Sequence, residues 1–588
     1  MIEIYIIIKF MKNAVILYAA ELSEHSFEKV FGGKSAFELA LEWAESVPES
    51  VSAVVFASDE NLAEIKENVP ENIKSSGKID FVSKESWTKG VFISEISKSL
   101  SSLNADYALV SYADTPFLNK NLTEEICSAH TKYQAEYTFA DGYPYGVAPE
   151  AIDKGAVSIV SALCNSDSRF IKKSEEKMTR DAVFSLLSID INSFEVETVI
   201  AQNDYRLLRL EFECSSKINF LACKNLFSLL NPENSKISDF DLEKLCGTAA
   251  SSFNVIKTIP AFYNIQISSR YNHALCYEPS LPENFSEMDD MRLCDFKNLL
   301  ENISRFSQKA VISLSAFGEP LLHKDFFDFV SETLKYPEYS LLIETDGTLL
   351  TSELAEKISK IENSKGRIDW IILIDAVEKS LYAKIHGCDE GDFSKALEAA
   401  GVLERFFPSH AYPQMVRMKA NECELEAFYR FWKNPDSPAK GNFIIQKYNS
   451  FCGILSDEKS ADLSPLERNP CWHLRRDFTV LADGSVPECV CQFKTKILGN
   501  VFDKNENASD SEKVESEEAS NPEKIGDDKD SKDSKKDFDV EKNALDSDGS
   551  FNCIERIWQK FDKNLKEQIN NNYSGCCRSC DEHYTFNF

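Results

Sequence analysis

Residues 310–320 read AVISLSAFGEP. An apolar, β-rich run ends in a Gly-Glu-Pro turn that neither a strand nor a helix can continue, because proline lacks the amide donor. Five further runs share this character: 262–268 (FYNIQIS), 340–345 (SLLIET), 369–375 (DWIILID), 411–419 and 442–448 (NFIIQKY). Helical patterns fill each gap. Parallel neighbours need a crossover, so strands alternating with helices predict an α/β fold with a parallel sheet under helices. Six such units over 256–450 predict a partial (β/α)6 barrel, with functional positions at the C-terminal ends of its strands.

Upstream, 13–20 (NAVILYAA), 51–58 (VSAVVFAS), 78–83 (KIDFVS) and 106–114 (DYALVSYAD) alternate with helical stretches such as 35–46 and 89–101. They predict a doubly wound domain over 11–215, joined to the barrel by a helical connector at 216–255. The apolar run IEIYIIIKF at 2–10 is too short to cross a bilayer, and no cleavage site follows it. It reads either as an upstream start-site extension before Met11 or as an extra edge strand.

Downstream, 451–588 form a small cysteine-rich tail. Inside it, 504–550 contain almost no large apolar residues. Such a tract cannot bury enough surface to offset its ordering entropy, and a disordered acidic insertion is expected there. Loop-closure entropy grows only logarithmically, so the tail tolerates it.

The chain carries 96 acidic against 65 basic residues, a formal charge of −31. That balance repels phosphates and anionic membranes, so neither nucleic acid nor membrane is an expected partner. Seventeen cysteines, an odd number without a signal peptide, predict reduced thiols and a cytoplasmic location. Cys127, Cys164, Cys214, Cys223 and Cys246 stand singly and read as ordinary buried residues. The tail differs: Cys471 precedes Gly484 and Cys489, and Cys577-Arg-Ser-Cys580 follows the insertion. Asp483-Gly484 supplies a tight turn that folds Cys489 back. Four converging thiolates suit an iron–sulfur cluster or a zinc ion, and spacing alone leaves both open.

Arg468-Asn-Pro-Cys471-Trp-His-Leu, Phe478-Thr-Val-Leu-Ala-Asp-Gly484-Ser-Val-Pro-Glu-Cys489, Leu498-Gly-Asn-Val501, Ile557-Trp558 and Cys577-x-x-Cys580 together resemble a SPASM domain. This is the auxiliary-cluster domain of many radical S-adenosylmethionine (SAM) enzymes, here in its shorter, single-cluster half. The resemblance implies one 4Fe–4S cluster on Cys471, Cys489, Cys577 and Cys580; a zinc knuckle is the alternative. Cys491 and Cys576 each neighbour a proposed ligand and could replace it.

The barrel resembles the radical SAM family. Phe317-Gly318-Glu319-Pro320 is similar to its GGEP motif, which implies Glu319 for the amino group of SAM. Glu344-Thr345-Asp346-Gly347 stands where the family has E-T-N-G. Leu373-Ile374-Asp375-Ala376, Tyr382 and Ile385-His386-Gly387 resemble a later conserved stretch. Glu319 and Asp375 are thus candidate ligand-binding positions, or remnants of a SAM site. The family's first strand ends in C-x-x-x-C-x-x-C, however, and here Tyr271, Leu275 and Glu278 hold the three ligand positions. Asn272, His273 and Pro279 still fit the flanks. One neighbouring thiol, Cys276, cannot hold a cluster, so neither SAM binding nor radical chemistry is expected.

Ala14-Val-Ile-Leu-Tyr-Ala-Ala20, Phe31-Gly32-Gly33-Lys34-Ser35 and Tyr112-Ala113-Asp114-Thr115-Pro116-Phe117 resemble GT-A nucleotidyl- and glycosyltransferases. The resemblance implies Asp114 for a Mg²⁺ ion and Lys34 for nucleotide phosphates. The phosphate loop departs from the pattern: Glu21-Leu-Ser-Glu24-His-Ser places carboxylates where glycines are needed, and these repel phosphate.

The three segments in this order resemble the spiro-SPASM proteins over essentially the whole chain. The expectation is an iron–sulfur protein whose two enzyme-derived domains bind a small molecule or peptide, or act as assembly platforms. Its cluster would be structural or would pass electrons to a redox partner protein. The alternatives are a Mg²⁺-dependent nucleotidyl- or glycosyltransferase acting through Asp114, and a divergent radical SAM enzyme.

Overall fold

The computed structural model describes residues 11–230, 237–279, 290–461, 464–503 and 553–584. The insertion 504–550 and the extension 1–10 fall outside them. The chain divides into two compact units, Met1–Thr258 and Ile259–Phe588. Among the described residues no helix is long and apolar enough to cross a membrane.

Among its described residues the first unit holds seven strands: β1 (Asn13–Tyr18), β2 (Ser50–Ser58), β3 (Ile79–Lys84), β4 (Tyr107–Tyr112), β5 (Tyr137–Asp141), β6 (Glu150–Asp153) and β7 (Val196–Ile200). Their spatial order is β3-β2-β1-β4-β6-β5-β7. Only β6 runs antiparallel to its neighbours. Side chains on β1 alternate between two cores: Val15 and Leu17 join one cluster, and Ala14, Ile16 and Tyr18 the other. Helices therefore cover both faces, and the near-continuous apolar run at 13–20 is explained. The helix Ala36–Ser46 starts on a capping box, in which the Ser35 hydroxyl accepts from the Glu38 amide and Glu38 accepts from the Ser35 amide.

The second unit is a parallel half-barrel. Its strands are β8 (Phe262–Ile265), β9 (Ala310–Ser313), β10 (Tyr339–Thr345), β11 (Ile368–Leu373), β12 (Ala411–Arg417), β13 (Ile444–Lys447) and β14 (Asp477–Val480), ordered β13-β12-β11-β10-β9-β8-β14. Along β10, Tyr339, Leu341, Ile343 and Thr345 are buried, while Leu342 and Glu344 face the hollow of the sheet. The seventh strand comes from the cysteine-rich region and pairs in parallel with β8. The expected turn at Asp483-Gly484 forms; beyond it β14 pairs with β8, and β15 (Ser485–Pro487) pairs with β16 (Ile497–Asn500). Gly484 in that turn has φ +86°.

Candidate functional site

The loop after β8 carries Tyr271, Leu275 and Glu278, the residues that stand at the three aligned ligand positions. In the structure they serve packing and hydrogen bonding. The Tyr271 hydroxyl donates to Glu278 Oε2 at 3.2 Å. Leu275 packs beside Tyr277, Ile385, Val416, Met418 and Tyr448. Cys276 Sγ lies 3.8 Å from Met418 Sδ. This loop thus carries part of an apolar cluster.

Asp375 is fully buried at φ +59° and serves as a tie point. Its Oδ2 accepts from the Tyr277 hydroxyl at 2.7 Å and faces His386 Nε2 at 3.0 Å, while Oδ1 accepts from the Val416 amide at 2.6 Å. Glu319 is equally engaged. Its oxygens accept from Thr345 Oγ1 at 2.8 Å and from the amides of Leu321 and Asp346 at 3.0 Å each. Burial and the Asp346 charge push its carboxyl up to about 8. Both candidate ligand positions are therefore occupied by the protein's own donors.

A cavity of about 300 Å³ opens from the hollow of the half-barrel towards the cysteine-rich region. Tyr277, Glu278, Glu344, Gln414 and Lys447 line it from the half-barrel strands and the loop after β8, and His473, Arg476, Asp477 and Cys489 from the cysteine-rich region. Burial and the Glu344 charge hold Glu278 up at about 7, and burial holds Glu344 at about 7. Gln414 Nε2 donates to Glu344 Oε1 at 3.2 Å. In the cysteine-rich region burial works against the His473 cation, but Asp477 at 2.5 Å wins and raises it to about 9.

These shifts make stability depend on pH. An acid whose folded value lies near 7 against an ordinary 4.5 keeps its proton in the fold after the unfolded chain has shed it, so stability falls as pH rises from about 4.5 through about 7. The thermal midpoint is expected to be lower at pH 8 than at pH 6, and Glu344→Gln to shrink that difference. An unchanged difference would place the titrating groups elsewhere.

Behind the cavity wall seven thiols converge: Cys452, Cys471, Cys489, Cys491, Cys576, Cys577 and Cys580. The four named from sequence are among them. Cys452 follows β13 outside any motif, and no sequence signal marks it. Hydrogen bonds from Cys452 and Cys491 hold Cys580 down to about 2, and Cys491 lowers Cys489. Burial raises Cys471, and it raises Cys577 to about 11. His473 adds positive charge near Cys489 and Cys580. The lowered thiols of Cys489 and Cys580 beside His473 suit metal ligation.

Converging thiolates of this kind suit a zinc ion or an iron–sulfur cluster.

In the first unit Asp114 is buried at the end of β4, and both its oxygens accept from Arg180, one at 3.1 Å. Arg180 also pairs with Glu213 and stacks on Tyr112 at 4.7 Å. A Mg²⁺ ion at Asp114 would have to displace this guanidinium. Lys34 pairs with Glu42 at 2.7 Å beyond the Phe31–Lys34 turn. The segment that aligns with a phosphate loop contains a short 3₁₀ turn, Glu24–Phe27, and Glu21 pairs with Lys177 at 3.4 Å.

No family model matches the chain. It is 34% identical over 419 residues to a protein of Treponema pallidum (strain Nichols) described as uncharacterized, which spans 69% of this chain and 98% of that one. It is 29% identical over 98 residues to the S-adenosyl-L-methionine-dependent 2-deoxy-scyllo-inosamine dehydrogenase of Niallia circulans, covering 16% of this chain and 39% of that protein. Among solved structures, a cytidylyltransferase from Leptospira borgpetersenii matches with a TM-score of 0.34 and 14% identity, over 42% of this chain and 97% of that one. The identity and near-complete coverage of the Treponema relative place this chain in the same family as that protein.

Proposed function

We propose that this chain is an iron–sulfur protein of the spiro-SPASM kind, holding one 4Fe–4S cluster on Cys471, Cys489, Cys577 and Cys580. Its half-barrel binds a small molecule or peptide beside that cluster, without radical SAM chemistry of its own. The observation that carries this reading is the shared cavity: Glu278 and Glu344 line it from the barrel, and the ligand Cys489 lines it from the tail. A molecule held there would lie next to the cluster. The cluster supplies a one-electron store, and the chain's own residues supply the binding walls. Glu278 stands at a former cluster position and now forms part of the ligand surface. The buried carboxylates favour a ligand that brings an amine or another donor, because an unpaired buried charge is costly.

A transferase reading finds less support, since Arg180 occupies both oxygens of Asp114. Calorimetric titration of the cluster-loaded chain with SAM and with Mg²⁺-nucleotides separates the readings. Neither is expected to bind measurably, and no 5′-deoxyadenosine should form under a strong reductant. Mg²⁺-dependent nucleotide binding would restore the transferase, and reductive SAM cleavage would restore radical catalysis.

A further inference from the structure

A second group of donors lies on the rim of the half-barrel, apart from the thiol-rich region. His273 follows β8, and Asp346 directly follows β10. Cys388 and Asp392 follow β11, just beyond the helix Lys379–His386. All four therefore gather towards the C-terminal ends of the parallel strands, where side chains from separate units meet.

The His273 side chain is only 5% exposed, yet its Nδ1 makes no hydrogen bond. Nδ1 lies 3.4 Å from Asp346 Oδ2, and Nε2 lies 3.3 Å from Asp392 Oδ2. A charge-assisted N–H···O bond would close to about 2.7–2.9 Å. The 3.3 Å between Nε2 and Asp392 Oδ2 is instead about the edge of a tetrahedron whose arms are about 2.0–2.1 Å, the length of zinc–nitrogen and zinc–oxygen bonds, while Asp346 Oδ2 is the carboxylate oxygen facing Nδ1. Cys388 completes the group: the ligand atoms of His273, Cys388 and Asp392 all lie within 4.8 Å of one another.

The remaining oxygens are already tied down. Asp392 Oδ1 accepts from Lys395 at 2.7 Å, which leaves Oδ2 turned to the histidine. Asp346 Oδ1 accepts from the Thr348 amide at 2.8 Å and hydroxyl at 2.7 Å, which leaves its Oδ2 facing Nδ1. A carboxylate behind the far nitrogen of a histidine is the usual arrangement for fixing the tautomer of a metal-binding imidazole. A mixed sulfur, nitrogen and oxygen set excludes magnesium and calcium and suits zinc.

We propose that His273 Nε2, Cys388 Sγ and Asp392 Oδ2 bind one zinc-class dication, with Asp346 orienting the imidazole through Nδ1. Three protein ligands leave a fourth position open for water or for a donor atom of a bound molecule. The site does not depend on the cluster assigned to the tail.

The test uses cobalt(II) as the probe in the cluster-loaded full-length chain. One equivalent is expected to bind and to give a near-ultraviolet thiolate-to-cobalt charge-transfer band. Cys388→Ser preserves shape at a partly exposed position, and its circular dichroism should match the parent. It should lose the band and bind at least about tenfold more weakly. Asp346→Asn should keep the band and weaken binding. A band kept in Cys388→Ser overturns the proposal and assigns the ion to other thiols.

Discussion

Cys489→Ala is expected to abolish the tail cluster, with iron and acid-labile sulfide falling to background, whereas Cys276→Ala retains both. Cys489 lines the cavity wall, and its thiol is held low by Cys491. It is thus primed as a thiolate among converging sulfurs. Cys276 sits on the barrel loop, where its sulfur contacts Met418 and its neighbours at the aligned positions are Tyr271, Leu275 and Glu278. A cluster with one thiol and no further sulfur ligand has no means of support. Equal iron in the two variants would overturn the ligand assignment. Iron lost from Cys276→Ala alone would return the cluster to the first strand.

Gly318→Ala should cost about 4 kcal/mol or more, enough to dominate a denaturant midpoint. Gly318 has φ +143°, and a Cβ there would lie 2.0 Å from the Ser268 carbonyl oxygen and 2.9 Å from its carbon. Both neighbours are backbone, so relief requires moving the segment after β8. That segment leads into the loop carrying Tyr271, His273 and Glu278, and the loop would move with it. The control is Gly366→Ala, where nothing lies within 4 Å of the added carbon, and the change should stay within about 0.5 kcal/mol. Similar midpoints for the two variants would mean that the turn at Phe317–Pro320 has room the structure does not show.

The sheets were legible because their strands are apolar runs punctuated by turn chemistry. AVISLSAFGEP contains β9 and its exit turn, and SLLIET lies within β10. The order of the first-unit sheet followed less directly. Strand β6, a four-residue segment antiparallel to β4 and β5, has too little sequence to announce itself. Strand β14 was hidden for another reason: Asp483-Gly484 signals only the local turn, and the pairing of β14 with β8 is long-range.

Cys577 and Cys580 were legible as a pair because a Cys-x-x-Cys spacing places them close in sequence, and both lie among the converging thiols. The Arg180 clamp on Asp114 is 66 residues distant and carries no motif, so the degraded loop was readable but its replacement by an ion pair was not. Glu319 and Asp375 were found by motif, yet their hydrogen bonds come from Thr345, Tyr277 and Val416, whose approach only folding creates. Glu278 was visible as a missing cysteine; its role in the cavity wall required the strands to curve around it.

The central claim is one iron–sulfur cluster, held by the tail and absent from the barrel. Iron, acid-labile sulfide and zinc per chain after anaerobic purification, with an ultraviolet–visible spectrum, test it most directly. The account predicts about four irons and about four sulfides. About eight of each would put a second cluster in the barrel, and zinc with no sulfide would make the tail a structural knuckle; either result contradicts the account.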